Sequence, residues 1–293
     1  VQTINSIGAK VFLLALILGG CQSPPTKLFD DSKVRDQERR ALPEDVVVLD
    51  ARPDFEFSTS HAPGAISVHW QDFSQSESPF LGELDTDLFV HARRLSRYGI
   101  RPYTPVLVLG RGLAGEGEEG RLVWTLRVMG LKDVSYRTVG SYLQKATREP
   151  SPAPKEVALW KPELDESLVV NRELFVGKVM QPVGPERPVV IDVRPESEYL
   201  GRVLSAGLKQ VTPDLGALNI PWTQFLTRSG EPQLSIANKL EALGITKSKL
   251  IYVIDTAGVR SAAVTVVLRD LGFAKAANFA GGYLELLSQP VGH

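Results

Sequence analysis

The sequence predicts a two-domain α/β protein in which each domain is a parallel sheet flanked by helices. Three observations predict it. The chain has 293 residues, 43% hydrophobic and 23% charged, which is globular composition and enough length for about two full cores. Val46 to Phe57 (VVVLDARPDFEF) is echoed by Val189 to Tyr199 (VVIDVRPESEY), which places Asp50 and Asp192 142 positions apart, and Leu126 to Gly130 is echoed by Leu268 to Gly272 at the same spacing. A period this long marks duplicated domains, not a solenoid. Finally, short apolar runs suited to strands buried on both faces alternate with apolar helical stretches that stop at glycine.

Taken in chain order, Val11 to Leu18 is an unbroken apolar run of eight residues after Lys10. It is too short to span a bilayer as a helix and has the length of a signal-peptide core, so residues 1–20 are expected to be a signal peptide. Leu18-Gly19-Gly20-Cys21 resembles the bacterial lipobox. That resemblance implies cleavage before Cys21, lipidation of its thiol, and a membrane-anchored protein of the cell envelope facing away from the cytoplasm. Residues 21–40, beginning QSPPTK after the cysteine, read as a polar tether.

Residues 41–147 form the expected first domain, 148–166 a proline-rich linker (REPSPAPKEVALWKP up to Pro162) and 167–293 the second domain. In each copy an apolar strand ends in Asp-x-Arg-Pro, at Asp50 and at Asp192. A second strand, Val106 to Leu109 or Leu250 to Ile254, runs into a glycine-bearing loop. A helix then follows, Arg121 to Met129 or Ser261 to Leu271. Ligands of parallel sheets bind at the carboxyl ends of strands, so the loops after Leu109 and Ile254 are the candidate sites.

Composition narrows the chemistry. A formal net charge of −1 gives no global attraction to nucleic acid. The single cysteine forbids an intrachain disulfide and a cysteine-cluster metal site, and His61, His69, His91 and His293 lack ligand spacing. No metal and no cofactor are expected. Gly110, Gly112 and Gly115 fit a GxGxxG pattern after a strand. However, Glu116, Glu118 and Glu119 would repel a pyrophosphate there, and no GxxxxGK[ST] loop exists, so no nucleotide is expected. Trp70, Trp124 and Trp222 read as core, His61 as a backbone-bonded loop residue, and His69 as part of a strand.

Asp50-Ala51-Arg52, His61-Ala62-Pro63-Gly64-Ala65, Asp192-Val193-Arg194, Gly258-Val259-Arg260-Ser261 and Gly281-Gly282-Tyr283 together resemble the tandem-domain rhodanese, or thiosulfate sulfurtransferase, family. The second copy departs from it at Pro213-Asp214-Leu215-Gly216-Ala217, which lacks the histidine. The resemblance implies a cysteine at the strand end, cradled by loop amides and a helix N-terminus, that carries sulfur as a persulfide. Asp255 stands at that position in the second copy and Gly110 in the first.

The loop Asp255, Thr256, Ala257, Gly258, Val259, Arg260 and Ser261 therefore reads as a disabled cradle whose aspartate accepts the loop N–H groups as an N-cap does, the alternative being a plain loop aspartate exposed to water. Gly110, Gly112, Gly115 and Arg121 mark its degenerate counterpart. Arg260 is expected to pair with Asp255 or another carboxylate. The resulting expectation is a lipid-anchored binding or scaffold module with no catalytic residue, recognising an unknown protein or small anion. The alternative is a sulfurtransferase-related enzyme that handles thiosulfate or a partner's persulfide without its own thiol.

Overall fold

The computed structural model describes residues 46–142, 146–181, 184 and 186–289. The signal peptide expected at 1–20, the tether at 21–40 and Cys21 lie outside the described residues.

The first half runs β1 (Val47–Asp50), α1 (Asp54–Thr59), β2 (Ile66–Ser67), α2 (Leu88–Arg97), β3 (Val106–Gly110), α3 (Glu118–Val128) and β4 (Val134–Thr138). Its strands form one parallel sheet in the order β2-β1-β3-β4. The second half runs β5 (Val169–Val170), α4 (Arg172–Val179), β6 (Val189–Asp192), α5 (Glu196–Tyr199), β7 (Leu218–Asn219), α6 (Ser235–Ala242), β8 (Ile251–Ile254), α7 (Arg260–Asp270), β9 (Ala276–Phe279) and α8 (Gly282–Leu286). Its sheet is also parallel, in the order β5-β9-β8-β6-β7. This is the two-sheet α/β architecture that the repeat predicts.

The central strands β3 and β8 are buried along their whole length, which is why they read as continuous apolar runs and not as alternating ones. Each Asp-x-Arg closes a strand end. Asp192 accepts the Arg194 amide at 3.0 Å and its guanidinium at 2.7 and 3.1 Å, and Asp50 does the same with Arg52. These four side chains are buried, so each charge is matched where water cannot reach it.

α3 begins earlier than its glycines suggest. Gly117 takes φ +86° as the cap, and Glu118 and Glu119 occupy the first turn, so the helix starts at Glu118 and not at Arg121. Acids in a first turn face the positive end of the helix dipole. His69 is also not a strand residue: it caps the 3-10 turn Trp70–Phe73 and pairs with Asp54 at 2.9 Å.

The two halves meet along α3 and α7, whose residues Leu122, Trp124 and Leu126 share one core with Val264, Val266 and Leu268. The two helices come close at Gly120, where a Cβ atom would sit 2.4 Å from that of Ala263, so only glycine fits. The segment after Arg148 lies on the first half. Val157 donates to the Ser96 carbonyl and the Trp160 indole to that of Ile100.

The contact is reciprocal at the loops. A Cβ on Gly82 would lie 2.1 Å from the Ala257 carbonyl oxygen, so this turn of the first half sits directly on the loop after β8. Gly230, in the second half, lies correspondingly against Gly112 and Thr138. Each half thus covers the strand-end loop of the other.

Candidate functional site

The loop between β8 and α7 is short because the chain reverses at Gly258, where φ is +74° and a Cβ would lie only 1.8 Å from the Ala280 carbonyl oxygen. No other residue fits there. Behind it, α8 is tied to the loop through Tyr283 and Leu284, whose amides donate to the carbonyls of Asp255 and Thr256.

Asp255 is buried at the end of β8. Its Oδ1 accepts the Gly258 amide at 2.6 Å and its Oδ2 accepts the Arg260 amide at 3.0 Å. Ser261 Oγ lies 2.9 Å from Asp255 Oδ1 and 2.6 Å from Asn278 Oδ1, so one hydroxyl hydrogen serves two acceptors. The carboxylate occupies the point on which the loop amides and the start of α7 converge.

Arg260 is fully engaged. Its two terminal nitrogens meet the Glu198 oxygens at 3.1 and 3.2 Å, Nε lies 3.5 Å from Asp255 Oδ2, and Nη2 donates to Thr256 Oγ1 at 3.1 Å. Burial opposes the Arg260 charge, but Asp255, Glu198 and Glu116 outweigh it and hold the pKa above the usual arginine value. For Glu198 burial likewise acts upward. The hydrogen bonds from Arg260 and Ser205 overcome it and hold the carboxyl below the ordinary glutamate value.

Arg121 belongs to α3, not to the loop of the first domain. It is completely buried and crosses the interface, with Nη1 donating to the Gly258 carbonyl at 3.0 Å and Nη2 to the Gly82 carbonyl at 2.5 Å and to Ser74 Oγ at 3.0 Å. The Trp70 and Trp124 rings lie 5.3 and 4.5 Å from its guanidinium carbon. Burial pushes its pKa down to about 9, with the Asp255 charge opposing. A cation between two indole faces, bonded to two carbonyls, fastens the first domain to the loop of the second.

The loop of the first domain is filled differently. Gly110 leaves no room for a side chain: a Cβ there would lie 2.4 Å from Glu119 Oε2. Glu119, from the first turn of α3, turns inward, and its Oε1 accepts the Gly112 amide at 2.8 Å. Burial raises its pKa to about 7, against the pull of the amides. Glu118 pairs with Arg111 and accepts the Glu116 amide at 2.8 Å, which engages more of the loop. Gly112 starts a 3-10 turn and Gly115 ends it. Glu119 is the site residue that sequence reasoning missed. The available signal was the 142-residue register, which sets Glu119 opposite Ser261.

A cavity of about 550 Å³ opens beside Asp255 between the domains. Trp70 and Trp222 form part of its wall, so Trp70, only half-buried, is not simply core as expected. Trp124 and Trp222 are buried as expected. His61 is held by two backbone carbonyls, those of Phe57 at 2.8 Å and Glu149 at 3.1 Å. Among the described residues, no group of three or more His, Cys, Asp or Glu side chains is placed to hold a metal ion. Among them, too, no helix is long and apolar enough to cross a membrane.

The family model for the rhodanese-like domain matches the chain twice, over residues 35–143 and 176–289. A thiosulfate sulfurtransferase of Azotobacter vinelandii is 27% identical over 262 residues, covering 87% of this chain and 92% of that protein. A thiosulfate sulfurtransferase of Gallus gallus is 31% identical over 180 residues, and the match spans only 60% of each chain. The crystal structure of a 3-mercaptopyruvate sulfotransferase from Escherichia coli superposes with a TM-score of 0.65 at 22% identity, covering 86% of this chain and 95% of that one, and shows the shared fold. Two parallel α/β sheets, two buried Asp-x-Arg strand ends and two matches to one model place this chain in the rhodanese-like domain family.

Proposed function

We propose that this chain is a binding module built from two rhodanese-like domains, in which Asp255 stands where a sulfur-carrying member of the family has its cysteine. One observation carries the reading: the Asp255 carboxylate already accepts the Gly258 and Arg260 amides, so the cradle's donors serve an anion belonging to the chain. A carboxylate has no sulfur with which to form a persulfide, and its charge disfavours a second anion at the same point. Gly110 in the first domain supports the same reading, because Glu119 fills its cradle.

Lipidation at Cys21 and residence in the bacterial envelope are part of the proposal. They are supported by the eight-residue apolar run and the Leu18-Gly19-Gly20-Cys21 string. A Cys21→Ser protein is expected to leave the membrane fraction, and retention equal to wild type contradicts the anchor.

The second reading, a sulfurtransferase-related enzyme handling thiosulfate or a partner's persulfide, is favoured by the names of the relatives. Calorimetry with thiosulfate separates the two. Saturable binding that is lost in Arg260→Ala supports the enzyme, and no binding supports the module. In the thiosulfate:cyanide assay the wild type is expected to be inactive, and Asp255→Cys tests whether the cradle still accepts a thiol.

A further inference from the structure

Far from the Asp255 loop, α2 buries one flank and bares the other. His91, Ala92, Leu95 and Ser96 are buried, whereas Phe89, Val90, Arg93 and Arg97 are exposed. Residues 89, 93 and 97 are spaced four apart, so they line up on one face of the helix. Phe89 is 54% exposed on that face. Arg101 and Tyr103 are exposed in the turn that follows.

The charge of this face is unmatched. Among the described residues, the Arg93, Arg97 and Arg101 side chains make no ion pair and no hydrogen bond. Arg94, by contrast, donates to the Asp72 carbonyl and lies over the Phe73 ring. From Leu88 to Gly115 the sequence has no Asp and no Glu. The two acids just before the helix serve backbone amides, Asp85 that of Asp87 and Asp87 that of Val90. Three free guanidiniums therefore call for an anionic partner. A convex helix flank with an exposed phenyl ring beside them suits an extended surface: apolar side chains enter the acyl boundary while arginines stay among the headgroups. Such a surface is within reach of an anchored chain, since 25 positions separate Cys21 from Val46, at most about 90 Å of backbone.

We propose that the exposed flank of α2 docks on an anionic lipid bilayer, with Phe89 and Val90 at the acyl boundary and Arg93, Arg97 and Arg101 among the headgroups. The proximity of that bilayer rests on the reading of Cys21 as a lipid anchor, and the inference names the face that the anchored chain turns to it.

The test is co-sedimentation of the full chain carrying Cys21→Ser with phosphatidylcholine vesicles, with and without about one-third phosphatidylglycerol. Tighter binding to the anionic vesicles, weakened by salt, is expected. Arg93→Gln, Arg97→Gln and Arg101→Gln should each weaken it about fivefold, and about a hundredfold together. Phe89→Ala should weaken it about tenfold. Circular dichroism and the unfolding midpoint should stay at parent values, because these side chains are exposed. Removing as much charge from the second half, by Arg202→Gln, Lys209→Gln and Arg228→Gln, should leave vesicle binding unchanged.

An equal loss in that control, or no loss in the α2 variants, overturns the proposal. Binding to a hexaglutamate peptide but not to anionic vesicles also overturns it, in favour of an acidic protein partner. Retention of Cys21→Ser in salt-washed membranes would remove the anchor, whereas vesicle binding indifferent to the three arginines removes this inference alone.

Discussion

The two strand-end loops solve one structural problem from opposite sides. After β8 the cradle is filled from the strand end by Asp255, which meets the amides of Gly258 and Arg260. After β3 it is filled from the helix by Glu119, which meets the amide of Gly112, while the strand end is reduced to Gly110. A ring of N–H groups at a helix start demands an acceptor, and a buried one left empty costs free energy. When no thiolate or ligand provides it, a carboxyl does. The loops differ also in what the other domain contributes. The second loop is gripped by Arg121, whose counterpart 142 positions on is Ala263, whereas the first receives the packing of Gly230 and a 3.8 Å approach of Arg260 to the exposed Glu116.

The largest break in this comparison should come from Arg121. Arg121→Leu removes a buried donor from the Gly82 carbonyl and leaves the Gly258 carbonyl only the Asn278 amide, and should lower unfolding stability by about 3–5 kcal/mol. Urea titration measures it, and a loss below about 1 kcal/mol would mean that the guanidinium merely fills space.

Next in size is Asp255→Ala, expected to cost about 2–3 kcal/mol, because two loop amides and Ser261 lose a charged acceptor. Unfolding together with hydrogen exchange at Gly258 and Arg260 checks this. Unchanged protection of those two amides would show that the carboxylate is not their partner.

The smallest effect sharpens the contrast between the carboxyls. Glu119 is raised to about 7, and Glu285 is raised to about 8, by burial first and then by the hydrogen bond and charge of Glu83. A carboxyl raised in the folded state holds a proton that the unfolded chain has already lost. Its contribution is therefore full below the ordinary glutamate value and is lost as pH rises through about 7 and 8. Stability should fall from pH 5 to pH 8. Glu119→Gln should reduce that fall by on the order of 2 kcal/mol, leaving the share due to Glu285. An identical pH slope in the variant would refute the assignment.

Much of the fold was legible because it is written locally and twice. The apolar runs before Asp50 and Asp192 are continuous, as strands buried on both faces must be, and their Asp-x-Arg pairs close over two residues of sequence. Asp255 was legible for the same reason, since its acceptor role spans only the loop from Asp255 to Ser261. Glu119 was hidden among three neighbouring acids, because which one turns inward is set by the space at Gly110, a contact across the loop. The start of α3 lies three residues before Arg121 because Gly117 caps the helix and Gly120 admits Ala263, a contact between domains that no local pattern shows. Arg121 was hidden because its partners, Gly82 and Gly258, come from both sides of the domain interface. The cavity joins Trp70 to Trp222 and Glu116 to Glu198, and no local pattern encodes such pairs.

The most direct test is thiosulfate:cyanide sulfur transfer by the full chain carrying Cys21→Ser, which removes the sequence's single thiol. With Asp255 in place, thiocyanate should form no faster than in buffer. Enzymatic turnover by that cysteine-free protein would contradict the view that a resident carboxylate has replaced the sulfur carrier.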